Sequence, residues 1–168
     1  MVKVQVVVTD ANILINLIHI GRLSILGALA QFEFVVPDEV AAEVLDAEQA
    51  ASLQAAIDGE YLARVAFRDT EELAKFATLT SFLGKGESAC LALAQRRGCL
   101  VASDEGGPFR REAQQRLGPR RLINTPAILL SAIHSGVLSV EEADQALEIL
   151  KEHRFRVKFK SFRELLGS

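Results

Sequence analysis

Four carboxylates stand out by position: Asp10, Glu43, Glu87 and Asp104. Asp10 follows the β-branched run Val6-Val7-Val8-Thr9, and Asp104 follows Leu100-Val101-Ala102-Ser103. Glu43 lies in the stretch after Pro37, and Glu87 directly follows Gly84-Lys85-Gly86. Each therefore stands at the end of an expected strand or in the opening turns of an expected helix. Gathered at one end of a sheet, four such groups repel one another unless a divalent cation lies among them. Oxygen donors of this kind suit Mg2+ or Mn2+. An ion held in that way activates water and stabilises charge on a phosphodiester. His19, His134 and His153 fall on expected helices away from these positions, which disfavours a zinc hydrolase.

Taken singly, each acid has a plainer role. Asp10 and Asp104 suit strand-end caps, Glu43 suits a solvated helix face, and Glu87 suits a first helical turn, where the dipole favours negative charge. Their joint placement carries the chemical reading, and that placement depends on the elements around them.

Val2–Val8 reads as a central strand, apolar on both faces. Ala11–Gly21 reads as a helix with Ile13, Leu14, Leu17 and Ile18 inward, and Ser24 as the cap of a short helix through Ala30. Phe32–Val36 is a strand stopped by Pro37. Asp38 to about Ala56 reads as one helix with Val40, Val44, Leu45 and Leu53 inward. Arg64–Phe67 is a weaker strand, and Thr70 reads as the cap of a helix with Glu71 and Glu72 in its first turn. A helix from Glu87 to Arg97 ends at Gly98. Cys99–Ser103 is a strand, Phe109–Arg116 a helix and Arg121–Asn124 a short strand. Thr125-Pro126 opens a helix with Pro at its first position. Ser139-Val-Glu-Glu142 and Ser161-Phe-Arg-Glu164 read as capping boxes. Strands alternating with helices predict a parallel sheet covered on both faces. No linker or repeat interrupts the pattern, so residues 1–168 read as one domain. In such a sheet ligands gather beyond the carboxyl ends of the strands, where strand order reverses.

The chain has 168 residues, 49% of them hydrophobic and 6% aromatic, with no Trp, so the expected core is aliphatic. Net charge is −3, which alone does not suggest nucleic acid. The distribution is uneven: residues 151–168 carry six basic and two acidic residues, net +4, which leaves −7 for the rest. Thirteen of the 19 basic residues lie beyond position 95, which permits a positive surface on an acidic protein. Cys90 and Cys99 show no metal spacing and read as buried free thiols in a reducing compartment. No stretch approaches the ~18 apolar residues of a membrane span, and the N-terminus lacks a signal-peptide pattern, so a cytoplasmic location with no membrane partner is expected.

The motifs resemble those of PIN-domain nucleases. Val7-Val8-Thr9-Asp10-Ala11-Asn12-Ile13-Leu14-Ile15 resembles the opening motif, and Val36-Pro37-Asp38-Glu39-Val40-Ala41-Ala42-Glu43-Val44 the second. Gly84-Lys85-Gly86-Glu87-Ser88-Ala89-Cys90-Leu91-Ala92-Leu93-Ala94 resembles the third, and Ala102-Ser103-Asp104-Glu105 the fourth. Four motifs in order over nearly the whole chain are far more specific than any one. The resemblance implies a three-layer α/β/α, Rossmann-like parallel sheet of about five strands in the order 3-2-1-4-5. It implies a Mg2+- or Mn2+-dependent ribonuclease with Asp10, Glu43, Glu87 and Asp104 as the acidic set. The metal set is then Asp10, Glu87, Asp104 and Glu105, the last standing where many relatives carry a second Asp. Asn12 matches a polar position that supports the first Asp. Ser103 offers a hydroxyl beside Ala102, which stands where Thr is common. Many relatives are toxins of type II toxin–antitoxin pairs and form homodimers, which implies an RNA substrate, an antitoxin protein and a second copy as partners.

Arg110 and Arg111, just after the fourth motif, are candidates for binding substrate phosphates. The basic tail has two readings: it tracks a nucleic-acid backbone, or it is an edge strand with Phe155, Val157 and Phe159 inward and its charges in water. The main alternative to a nuclease is a non-catalytic PIN-like module that binds RNA or protein. A phosphoryl-transfer enzyme with an aspartyl nucleophile fits less well, because Asp10-Ala11-Asn12 lacks a second acid.

Overall fold

The structure, a computed structural model, describes residues 3–167. Its centre is a five-stranded sheet in the order β3-β2-β1-β4-β5, with all four strand pairings parallel. The strands are β1 (Gln5–Thr9), β2 (Phe32–Pro37), β3 (Ala63–Val65), β4 (Leu100–Ala102) and β5 (Leu122–Ile123). The strand order implied by the resemblance is therefore the observed one. β1 takes the centre because its Val7 and Val8 bury fully against both covering layers. Val2, expected to open this strand, lies outside the described residues.

The helices are α1 (Ala11–His19), α2 (Ile25–Ala28), α3 (Asp38–Ala41), α4 (Ala47–Asp58), α5 (Thr70–Leu79), α6 (Lys85–Arg97), α7 (Gly107–Leu117), α8 (Thr125–His134), α9 (Val140–Glu152) and α10 (Phe162–Gly167). α1 packs with α4 and α9, and α8 with α9, over one face of the sheet, while α6 packs between α5 and α7 over the other. The result is a three-layer α/β/α fold. α6 is buried almost all round, from Ser88 through Ala94. Its Ala89, Ala92 and Ala94 let it lie close against β1, β2 and β4. Gly98 ends it in the left-handed conformation at φ 70°, where a side chain is disfavoured. Cys90 and Cys99 are free and buried, as expected. Among the described residues, no helix is long and apolar enough to cross a membrane.

Several expectations are corrected. The helix expected from Asp38 to Ala56 is two helices separated at residues 42–46. Asp46 caps α4 by accepting from the Gln49 amide at 3.0 Å, a bond that competes with continuing the helix. Leu45, expected inward, is 87% exposed because it falls in that break. The cap of α5 is Asp69, which accepts from the Glu72 amide, and Thr70 is the first helical residue. Ser24 makes no capping bond. Asn124 caps α8, so Thr125 precedes Pro126 inside it. The Ser139 capping box is complete, and Ser161 accepts from the Glu164 amide. The basic tail joins no strand of the sheet, so the edge-strand reading fails. Phe155, Val157 and Phe159 nonetheless pack half-buried on the core, and the basic residues between them are exposed.

Candidate active site

β1 and β4 are neighbours, in register at Thr9 opposite Ala102, and from them the chain leaves toward opposite edges of the sheet. Their carboxyl ends therefore form the crevice at the reversal of strand order. The Asp10 amide donates to the Ala102 carbonyl at 2.9 Å, which fixes the two strand ends together. Asp10 caps α1 by accepting from the Ala11 amide at 2.9 Å, and its other oxygen accepts from the Ser103 hydroxyl at 3.0 Å. The same hydroxyl accepts from the Glu105 amide at 3.1 Å. Ser103 thus couples Asp10 to the loop that carries Asp104 and Glu105.

Asn12 bridges this loop from the other side. Its Oδ1 accepts from the Asp104 amide at 3.2 Å, and its Nδ2 donates to Glu105 at 3.1 Å. Asp104 is held more firmly still: one oxygen accepts from the Thr125 amide at 2.8 Å, the other from the Thr125 hydroxyl and from Asn16 Nδ2 at 2.8 Å. This carboxylate ties β4 to the start of α8.

Glu43 and Glu87 belong to the α6 side. Glu43 sits in the turn after α3, not inside a helix, and Gly84, the residue that caps α6, has no side chain to offer. Glu43 fills that role from a distance: its Oε1 accepts from the Gly86 amide at 2.8 Å, where helix N–H groups lack internal partners. The approach requires glycine, since a Cβ on Gly86 would stand 2.6 Å from both Glu43 carboxylate oxygens. Glu87 lies in the first turn of α6, half-buried.

Burial raises the pKa of Asp10 to about 6; the Ala11 and Ser103 hydrogen bonds lower it, and Glu43 and Glu87 push it further up. Burial also raises Glu87, assisted by Glu105 and Glu43. Burial raises Asp104 against the Thr125 and Asn16 hydrogen bonds, with Glu105 adding to the rise. Among the described residues, none of these five acids forms a salt bridge. The donor chemistry, all carboxylate oxygen under mutual repulsion, fits a hard divalent cation. Among the described residues no three His, Cys, Asp or Glu side chains converge on one ion position.

Arg110 lines a cleft of about 400 Å3 together with Ser103, Asp104 and Glu105, whereas Arg111 is exposed outside that lining. Sequence reasoning missed Asn16, Thr125 as a partner of Asp104, and Gly86. Asn12 and Asn16 were legible together: they lie four apart in an otherwise apolar helix, hence on one face.

A family model described as PIN domain matches residues 6–168. The chain therefore belongs to the PIN-domain family, whose members are generally nucleases. No match is found among curated proteins.

Proposed function

We propose that this PIN-domain chain is a metal-dependent endoribonuclease that hydrolyses RNA phosphodiesters. The observation that supports it is the raised pKa of Asp10, Glu87 and Asp104 at one crevice, with no basic side chain paired to any of them among the described residues. Structural carboxylates are ordinarily paired; unpaired and mutually repelling ones suit a site completed by a cation. When bound there, a Mg2+ or Mn2+ ion would neutralise charge on the scissile phosphodiester and lower the pKa of water, and one or two of Asp10, Glu43, Glu87 and Glu105 would hold it directly.

The chain's own residues do the rest. Asp10 is aimed by two fixed donors, so it has little freedom to turn away from the crevice. Ser103 keeps Asp10 and the Glu105 backbone in one geometry. Asp104 acts in this reading as the anchor that keeps β4 and α8 aligned beside the reacting phosphate. Water attacks phosphorus in line with the departing ribose oxygen, and that P–O bond breaks. The family resemblance extends the reading to the toxin of a toxin–antitoxin pair that acts as a homodimer.

Asp10→Asn tests the mechanism. Asparagine retains an acceptor for the Ala11 amide and a partner for Ser103, so the fold is kept. Mn2+-dependent RNA cleavage should fall about 1,000-fold. Unchanged cleavage would sink the reading. The hydrogen bonds that already occupy both Asp104 oxygens favour a second reading, a non-catalytic RNA- or protein-binding module. Calorimetry separates the two: Mn2+ binding at millimolar concentration or below supports the nuclease, and its absence supports the module.

A further inference from the structure

The cleft beside Asp104 and Glu105 has a second wall that the acidic site does not explain. Arg156 and Lys158 of the C-terminal segment line it together with Arg110. All three are exposed, and among the described residues none forms a salt bridge, although the rest of the chain is acidic. The lining is mixed: Ile123, Pro126, Phe155, Val157 and Phe159 give it apolar surface beside polar groups such as Gln114 and Asn124. The alternation of the tail produces this arrangement. Its phenylalanines and valine anchor the segment on the core, and each intervening basic residue is thereby turned outward at a fixed place. At about 400 Å3 the cleft falls within the ~300–1,000 Å3 of small-ligand sites, far larger than an ion needs.

Exposed cations beside apolar side chains in one cleft match one chemistry: phosphates with an unpaired base between them. We propose that this cleft is a subsite for single-stranded polynucleotide. Its phosphates rest on Arg110, Arg156 and Lys158, a base lies against the apolar lining, and the strand is led to the acidic end. A duplex keeps its bases stacked inside and cannot place one in the cleft. The proposal deepens the nuclease reading and rests on it for the course of the strand past the acids.

Lys160 supplies an internal control. It belongs to the same alternation and is exposed, but it stands outside the cleft lining. Replacing Arg156→Gln together with Lys158→Gln removes two charge units, the same as Lys160→Glu. Binding of a fluorescently labelled 12-nucleotide RNA, its DNA counterpart and the RNA duplex is read by anisotropy in EDTA across a salt series. The double variant should bind single strands at least about 10-fold more weakly, and its log K against log salt slope should shrink by about 1.4, two contacts at ~0.7 each. Lys160→Glu should change affinity less than about 3-fold, and the duplex should bind more weakly than either single strand. Equal losses in the two variants, no loss in the double variant, or a duplex that binds as well as single strands would each overturn the proposal. Cleft-dependent binding with no cleavage in any divalent metal would instead refute the nuclease reading and leave the subsite standing. All three substitutions are on exposed side chains, and thermal unfolding monitors folding.

Discussion

Glu72 and Asp10 are both buried carboxylates, 0% and 3% exposed, and their surroundings treat them oppositely. Glu72 accepts from Arg97 Nε at 2.7 Å and Nη2 at 3.1 Å, and from the Arg68 amide at 2.8 Å. The Arg97 hydrogen bond, chiefly, holds its pKa below the ordinary value. Arg97 also donates to the Ala66 carbonyl, so the cluster joins the exit of β3, the start of α5 and the end of α6. Asp10 has two neutral donors and acidic neighbours, and its pKa stands at about 6. One carboxylate is complete within the chain. The other carries a cost that only something outside the chain can offset. Burial is the largest cause of the rise at Asp10, whereas at Glu72 the Arg97 guanidinium outweighs it.

The largest effect on stability should come from breaking the complete cluster. Glu72→Gln leaves Arg97 facing a neutral amide with fewer acceptors. Neutralising one member of a part-buried charge-assisted pair costs up to roughly 3 kcal/mol. At ~2–4 °C per kcal/mol for a chain of this size, Tm should drop by up to about 10 °C, while Mn2+-dependent cleavage at permissive temperature stays near that of the parent protein. A Tm within 2 °C of the parent's would show that the pair contributes little and would weaken the contrast with Asp10.

Asp10→Asn should move stability the other way. A carboxylate whose folded pKa is raised binds its proton more tightly in the folded state. Its cost is absent below the unfolded value near 4, grows between pH 4 and 6, and is complete above pH 6. The span corresponds to at most about 3 kcal/mol. In EDTA at pH 8 the variant should therefore unfold several degrees higher than the parent, and at pH 4 the two should coincide. Glu72 has the opposite slope: its contribution is present above the ordinary carboxylate pKa and is lost as pH falls through its lowered folded value. Thermal scans at the two pH values check both signs. A destabilised Asp10→Asn at pH 8 would mean that the Ser103 and Ala11 hydrogen bonds outweigh the burial cost.

The two regions also differed in how far the sequence disclosed them. The acids of the crevice were legible because strand ends and helix starts are marked by local patterns: the β-branched run before Asp10, and the glycines before Glu87. The pairing of β1 with β4 came from family resemblance, because period and propensity say nothing about which strands are neighbours. Glu72 was legible only as a first-turn charge, since its partner Arg97 lies 25 residues away, across the packing of α5 on α6. The sequence pattern places Glu43 in a helix that Asp46 interrupts, and its role follows from the resulting turn. Of the tail's two readings, the apolar-in, basic-out alternation is what the structure shows, but no edge strand forms. Alternation reports which side chains are buried, and a segment packed on the core without a strand partner leaves the same signature as a strand.

The smallest effect on stability should come at Gly86, and it sharpens the comparison most. A Cβ there meets the end of a flexible side chain, the Glu43 carboxylate, rather than backbone. Glu43 is exposed and can swing away at little cost, and alanine is the better helix former by roughly 1 kcal/mol. Gly86→Ala should therefore leave Tm within about 3 °C of the parent. It should nonetheless remove the Glu43–Gly86 hydrogen bond and displace one acid from the crevice, lowering Mn2+ affinity about 10-fold by calorimetry. A crevice shaped by folding stability would register the substitution in Tm; one shaped for a ligand registers it in binding. Unchanged Mn2+ affinity in a stable Gly86→Ala protein would mean that Glu43 serves α6 as a cap and nothing more.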